Sequence, residues 1–136
     1  MQTAWYEAHD ITGTVFCGGS AVLLARVINQ EGQPLRPSEV ATAEYTVYEL
    51  DPRDPEVRRP LAGHTGRPVP VASLIHEQLS TAYPWTIDQI GYNFRHVLDV
   101  TSHPAFPAAG RHYLVEFSLR PVRGQVILVR FRLYAI

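Results

Sequence analysis

Residues 111–136 read RHYLVEFSLRPVRGQVILVRFRLYAI, two alternating runs joined by a short Pro/Gly turn. Tyr113, Val115, Phe117 and Leu119 fall on one face of the first run, opposite Glu116, Ser118 and Arg120. Ile127, Val129, Phe131 and Leu133 share a face of the second, opposite Arg130, Arg132 and Tyr134. A period of two sends successive side chains to opposite faces, so the stretch predicts a half-buried β-hairpin. The pattern also constrains the turn. Pairing Arg120 directly with Gln125 would force Arg130 and Arg132 inward, and burying unpaired guanidinium groups is costly. The hairpin therefore predicts a register displaced by one residue, through a bulge at Gly124 or a longer loop.

Working outward, alternation recurs upstream. Strands are predicted to begin near Ile11, Ala21, Ala41, Val71 and Tyr92, with Leu23, Ala25 and Val27 inward on the second and Ala43, Tyr45 and Val47 inward on the third. Tyr92, Phe94, His96, Leu98 and Val100 share a face of the fifth. Short turns rich in Gly and Pro separate most of these runs, and no helix of three turns is convincing. RPSEV is a candidate for a single helical turn. The fold class that follows is all-β, an immunoglobulin-like antiparallel β-sandwich of about seven strands. Tyr113 enters the sixth strand just after Gly110, where a tyrosine corner would use its hydroxyl to satisfy upstream backbone.

The 136 residues fit a single domain, with an N-terminal arm over residues 1–10 and a long Pro-rich loop over residues 51–70. That loop packs five prolines, two glycines and seven charges into 20 residues, so a regular ladder is not expected there. It reads as a flexible loop or a segment ordered by a partner. In residues 76–90, Trp85 and Ile87 are expected to lie as a lid on the core. Hydrophobic residues at 46% and charged residues at 18% describe a folded chain, and a net charge of −1 disfavours nucleic-acid and anionic-membrane partners. All twelve basic residues are arginine. The one cysteine, Cys17, has apolar neighbours and is expected to be a small buried residue. No signal-peptide pattern opens the sequence and no run approaches ~18 apolar residues, so synthesis in the cytoplasm without a membrane span is expected.

The chemistry-bearing residues form no motif. His9, His64, His76, His96, His103 and His112 lack ligand spacing, so no metal and no cofactor is expected. His96 reads as a core histidine, and His64 and His103 as solvated loop residues. Ser73, His76 and Asp88 could be written as a nucleophile, base and acid, but no nucleophile-elbow sequence supports them, and no catalytic residue is assigned. The remaining features suit contact surfaces. Trp5 and Tyr6 in the arm, Arg58 and Arg59 in the loop, and Arg130, Arg132 and Tyr134 on the last strand are of types enriched at interface hot spots. A solvated face with cross-strand pairs such as Glu116 with Arg130 explains the last strand equally well.

The Gly-flanked early strand, NQEGQPL before the next, and AGRHYLVEFSLRP–GQVILVRFRL together resemble small immunoglobulin-like accessory proteins of tailed phages and prophage-like bacterial gene clusters. That family includes baseplate, tail and capsid-decoration domains, and the likeness runs from about residue 12 to about residue 133. The 51–70 loop departs from its compact members. The resemblance implies a non-enzymatic virion or particle structural protein that joins or decorates neighbouring subunits. Its partners would be other subunits of the particle, or copies of itself, and its location the assembled particle. The alternative is a carbohydrate- or ligand-binding sandwich that stacks sugars on Tyr48, Tyr83 and Trp85.

Overall fold

The computed structural model describes residues 10–136 as two packed β-sheets. The strands are β1 (Ile11–Val15), β2 (Val22–Ala25), β3 (Val40–Leu50), β4 (Arg58–Pro60), β5 (Arg67–Pro68), β6 (Ile75–Ser80), β7 (Tyr92–Val97), β8 (His112–Pro121) and β9 (Ile127–Ala135). One sheet has the order β1-β9-β8-β3-β4, with β5 beside β4 on the same edge of β3, and the other has the order β2-β7-β6. The inward faces meet in one apolar core, where Phe94 from the small sheet lies edge-on to Phe117 of the large one at 4.8 Å between ring centres. The chain is an all-β sandwich.

The terminal hairpin takes the displaced register. Leu119 pairs with Ile127, Phe117 with Val129, Val115 with Phe131 and Tyr113 with Leu133. Residues 122–126 form the longer connection, with Gly124 at φ +98°. All four inward residues of β8 are fully buried, whereas Arg130 and Arg132 face outward in the ladder with Glu116 and Leu114. Burial of large apolar side chains at roughly 1.5–3 kcal/mol each is what fixes this register.

Tyr113 makes the corner its position predicts. Its hydroxyl accepts from the Ala108 amide at 2.9 Å and donates to the Ala108 carbonyl at 3.3 Å, while its ring is wholly buried against Phe106. Tyr113→Phe should therefore lower stability by about 1–2 kcal/mol. A urea midpoint equal to that of the parent would remove the corner from the folding energetics.

A strand lies at or near each of the seven expected positions, and the structure differs most from the sequence reading in two segments. Residues 51–70 are not a loose excursion, because they contribute β4 and β5 to the outer edge of β3. Asp51 Oδ1 accepts from the Arg53 and Asp54 amides and so turns the chain back; the Leu61 and Val69 amides then reach the Val47 and Ala43 carbonyls. Pro60 and Pro68 are tolerated because each strand has a partner on one side only. Val71–Leu74, expected to open the fourth strand, is a single helical turn (α1), and the strand begins at Ile75.

Three smaller outcomes follow from local chemistry. RPSEV does form a helical turn, a 3-10 piece at Pro37–Glu39 in which the Arg36 amide donates to Glu39 Oε1. Cys17 is exposed, not buried. β1 ends at Val15 and the chain turns outward through Gly18 at φ +75°, with Phe16 left 74% exposed. The sandwich is not purely antiparallel either, since β1 runs parallel to β9 and forms that edge of the large sheet.

Candidate interaction surfaces

The outer face of the large sheet collects four of the residues singled out from sequence. Arg130 and Arg132 project from β9 and Arg58 from β4, and Tyr134 stacks beside the His112 ring at 4.9 Å, whereas Arg59, paired with Glu49 opposite Tyr113, lies on the other face of the sheet. Their guanidinium groups are engaged locally. Asp10 lies 3.1 Å from Arg130 Nε and 3.4 Å from Arg132 Nε, Glu116 lies 3.5 Å from Arg58 and 3.9 Å from Arg130, and Glu49 lies 2.8 Å from Arg59 and 3.8 Å from Arg111. The expected Glu116–Arg130 pair is thus one strut of a network in which Arg58, Arg130 and Arg132 share Glu116 and Asp10, while Glu49 holds Arg59 and Arg111 as a separate cluster. Partly exposed pairs of this kind contribute at most about 1 kcal/mol each, so they orient side chains more than they hold the fold. Trp5 and Tyr6 lie outside the described residues.

The three aromatics of the sugar-binding alternative do not form a platform. Tyr48 sits on the outer face of the large sheet with the Arg58 guanidinium 4.6 Å above its ring. Tyr83 and Trp85 belong to the connection between β6 and β7, where Tyr83 is 93% exposed and Trp85 packs on Tyr92. The expected lid is only half present, because Ile87 is 76% exposed.

Asp88 organises that connection. Its Oδ1 accepts from the Gly91 and Ile90 amides and from Trp85 Nε1, and its Oδ2 lies 2.8 Å from Arg26 of the segment after β2. The Gly91 amide, then the Arg26 guanidinium, hold its carboxyl down at about 2. Ser73 donates to the Pro70 carbonyl, so Ser73, His76 and Asp88 form no catalytic set. Only the spacing of Asp88 and Gly91, an aspartate capping a Gly turn, hinted at this role.

His64 is buried rather than solvated. Its Nδ1 accepts from the Tyr45 hydroxyl at 2.9 Å, and its Nε2–H donates to the His103 carbonyl at 2.8 Å. The imidazole pins residues 61–66 to β3, a role that its Pro/Gly-rich sequence surroundings concealed. His103 itself is exposed.

His96 is on the core side, between the Tyr45 and Phe117 rings at 5.3 Å from each. Burial depresses its pKa below the ordinary 6.5. As pH falls, the unfolded chain takes up that proton first. The contribution to stability is therefore complete above about pH 6.5 and is lost as pH drops from there through the folded value. Urea midpoints should fall between about pH 7.5 and about pH 5.5, and His96→Phe should flatten part of that slope. An identical slope in the variant would assign the effect to other groups.

A second surface lies on the open side of the sandwich, where β1 and β2 face each other without pairing. The seam holds a groove of about 730 Å³ whose walls include Ile11, Phe16, Val22, Trp85 and Ile87. Beyond Ile11 it continues into a hollow of about 640 Å³ between Ile28 and Leu128. β2 is bonded along one side by β7, and among the described residues no strand pairs with its other side. An unpaired edge bordered by exposed apolar side chains is a template for an added strand. No protein-family model, curated protein or solved structure matches the chain.

Proposed function

We propose that the chain is an immunoglobulin-like structural subunit that joins or decorates neighbouring subunits of a virion or comparable particle and performs no reaction of its own. The observation that carries the reading is the β1–β2 seam, where an open strand edge coincides with Ile11, Phe16, Val22 and Ile87, all exposed. A soluble domain that presents such an edge gains by covering it. The partition of strands into β9-β8-β3 and β2-β7-β6, together with the Tyr113 corner, supports the immunoglobulin-like assignment. The nature of the particle rests on the family resemblance alone.

Light scattering on the purified chain over a concentration series tests the reading. A discrete oligomer or growing assemblies would support it. A chain that stays monomeric at every concentration would overturn self-assembly and favour the ligand-binding alternative, for which glycan screening is the next step.

A further inference from the structure

The wall of the seam that belongs to the large sheet is itself an open edge. β1 pairs with β9 alone, in parallel, and among the described residues nothing pairs with its other side. The ladder fixes which groups face that side. The Val15 carbonyl accepts from the Ile136 amide and the Cys17 amide donates to the Ile136 carbonyl, so the odd-numbered residues of β1 turn their backbone toward β9. The amides and carbonyls of Thr12 and Thr14 therefore point away from the sheet. β1, ITGTV, holds no charged residue and no proline, the side chains that ordinarily guard a free edge.

We propose that β1 is the contact through which two copies of this chain associate, their β1 strands running antiparallel across a twofold axis at Gly13. The strand matches itself in that register. Thr12 of each copy faces Thr14 of the other, and the pairs use every outward amide and carbonyl of both threonines. On the core-facing side Ile11, 41% exposed in the single chain, comes to face Val15 of the second copy. Thr–Thr and β-branched aliphatic pairs are favourable across antiparallel strands. Gly13 stands on the axis, where facing Cα atoms approach to ~4.5 Å and space is least, since Leu133 Cδ2 already lies 3.2 Å from where a Cβ would stand. Neighbouring registers fit less well. Centring the pair on Thr14 would call on the Phe16 carbonyl, which the Gly19 amide already occupies, and centring it on Thr12 would set Ile11 against a glycine. The same patch meets itself, so the contact is isologous and closes at two copies.

This self-pairing rests on the structural-subunit reading, and full-length variants separate the two. Thr14→Pro deletes an outward amide without removing a bond to β9, a position where an edge strand tolerates proline, and Thr14→Val keeps the backbone intact. Light scattering should show a discrete dimer for the parent, an association weakened by about thirtyfold in Thr14→Pro, and one within about threefold of the parent in Thr14→Val. Amide exchange reads the same contact without a substitution. The Thr12 and Thr14 amides should slow as the concentration rises, while those of Gly13 and Val15, already bonded to β9, should change little. Should Thr14→Pro lose the circular dichroism of the parent, the exchange pattern decides alone. Undiminished association in a folded Thr14→Pro, or Thr12 and Thr14 amides indifferent to concentration in a chain that associates, would overturn the β1 contact and leave the structural reading standing. Assemblies that grow without limit would overturn the twofold and likewise leave that reading. A parent chain monomeric at every concentration would overturn both.

Discussion

Asn93→Ala is expected to lower stability by roughly 3–5 kcal/mol, because it strips partners from buried backbone that nothing else can satisfy. Asn93 is 1% exposed on β7. Its Oδ1 accepts from the Val27 amide at 2.8 Å, and its Nδ2 donates to the Val27 carbonyl at 3.0 Å and the Leu35 carbonyl at 2.9 Å. The Val27 carbonyl keeps a second donor in the Leu35 amide, but the Val27 amide would lose its acceptor and the Leu35 carbonyl its donor. The segment between β2 and β3 is thereby clamped to the small sheet by one side chain. Asn93→Asp should fare no better, since it keeps the acceptor and turns both carbonyl contacts repulsive. A shift of the urea midpoint worth less than about 1 kcal/mol at constant m would show that water replaces the amide.

Gly91→Ala should cost about 3 kcal/mol or more, for two reasons that add. Gly91 has φ +105°, a region L side chains rarely adopt, and a Cβ there would come within 2.4 Å of the Ser80 carbonyl oxygen and 2.7 Å of its carbon. Both contacts are backbone, so neither can swing aside. Gly91 is also where the connection is tied down, its amide to Asp88 and its carbonyl to Arg26. The substitution should therefore shift Trp85 as well as the melting temperature, and Trp85 fluorescence reads this directly. Gly32→Ala is the internal control. It has φ +80° but open space around it, so only the conformational cost of about 1–2 kcal/mol is expected. Equal losses in the two variants would mean that the Ser80 contact relaxes.

How much was legible in the sequence divides by the range of the interactions involved. The β8–β9 hairpin could be read down to its register, because alternation and the cost of burying Arg130 and Arg132 leave one arrangement. Tyr113 could be read because a Gly-marked corner followed by Tyr is a local signal. Residues 51–70 could not, because their order comes from distant partners: the edge of β3, and Tyr45 and the His103 carbonyl around His64. Asn93 was invisible for the same reason, as a polar residue between two aromatics on a strand ordinarily points to solvent. For the candidate surfaces, residue type and register located the arginine-rich face and its Glu116–Arg130 pair, but not the ion pairs made with Asp10 and Glu49. The β1–β2 seam, formed by strands in different sheets, left no trace in either strand alone.

The prolines of β4 and β5 have a consequence for how large any assembly can grow. Pro60 and Pro68 present no amide N–H, so a strand approaching that side of the large sheet finds a broken row of donors. Among the described residues, the edge of this sheet left with an unbroken row of donors is that of β1. Two molecules that meet through the β1 sides of their large sheets use the margin that those sheets have left among the described residues, and propagation through this sheet stops there; the open edge of β2 belongs to the other sheet. The same stretch that reads as an irregular insertion thus acts as a terminator of the large sheet, so that contact through this sheet cannot run on into fibres from its β4 and β5 side.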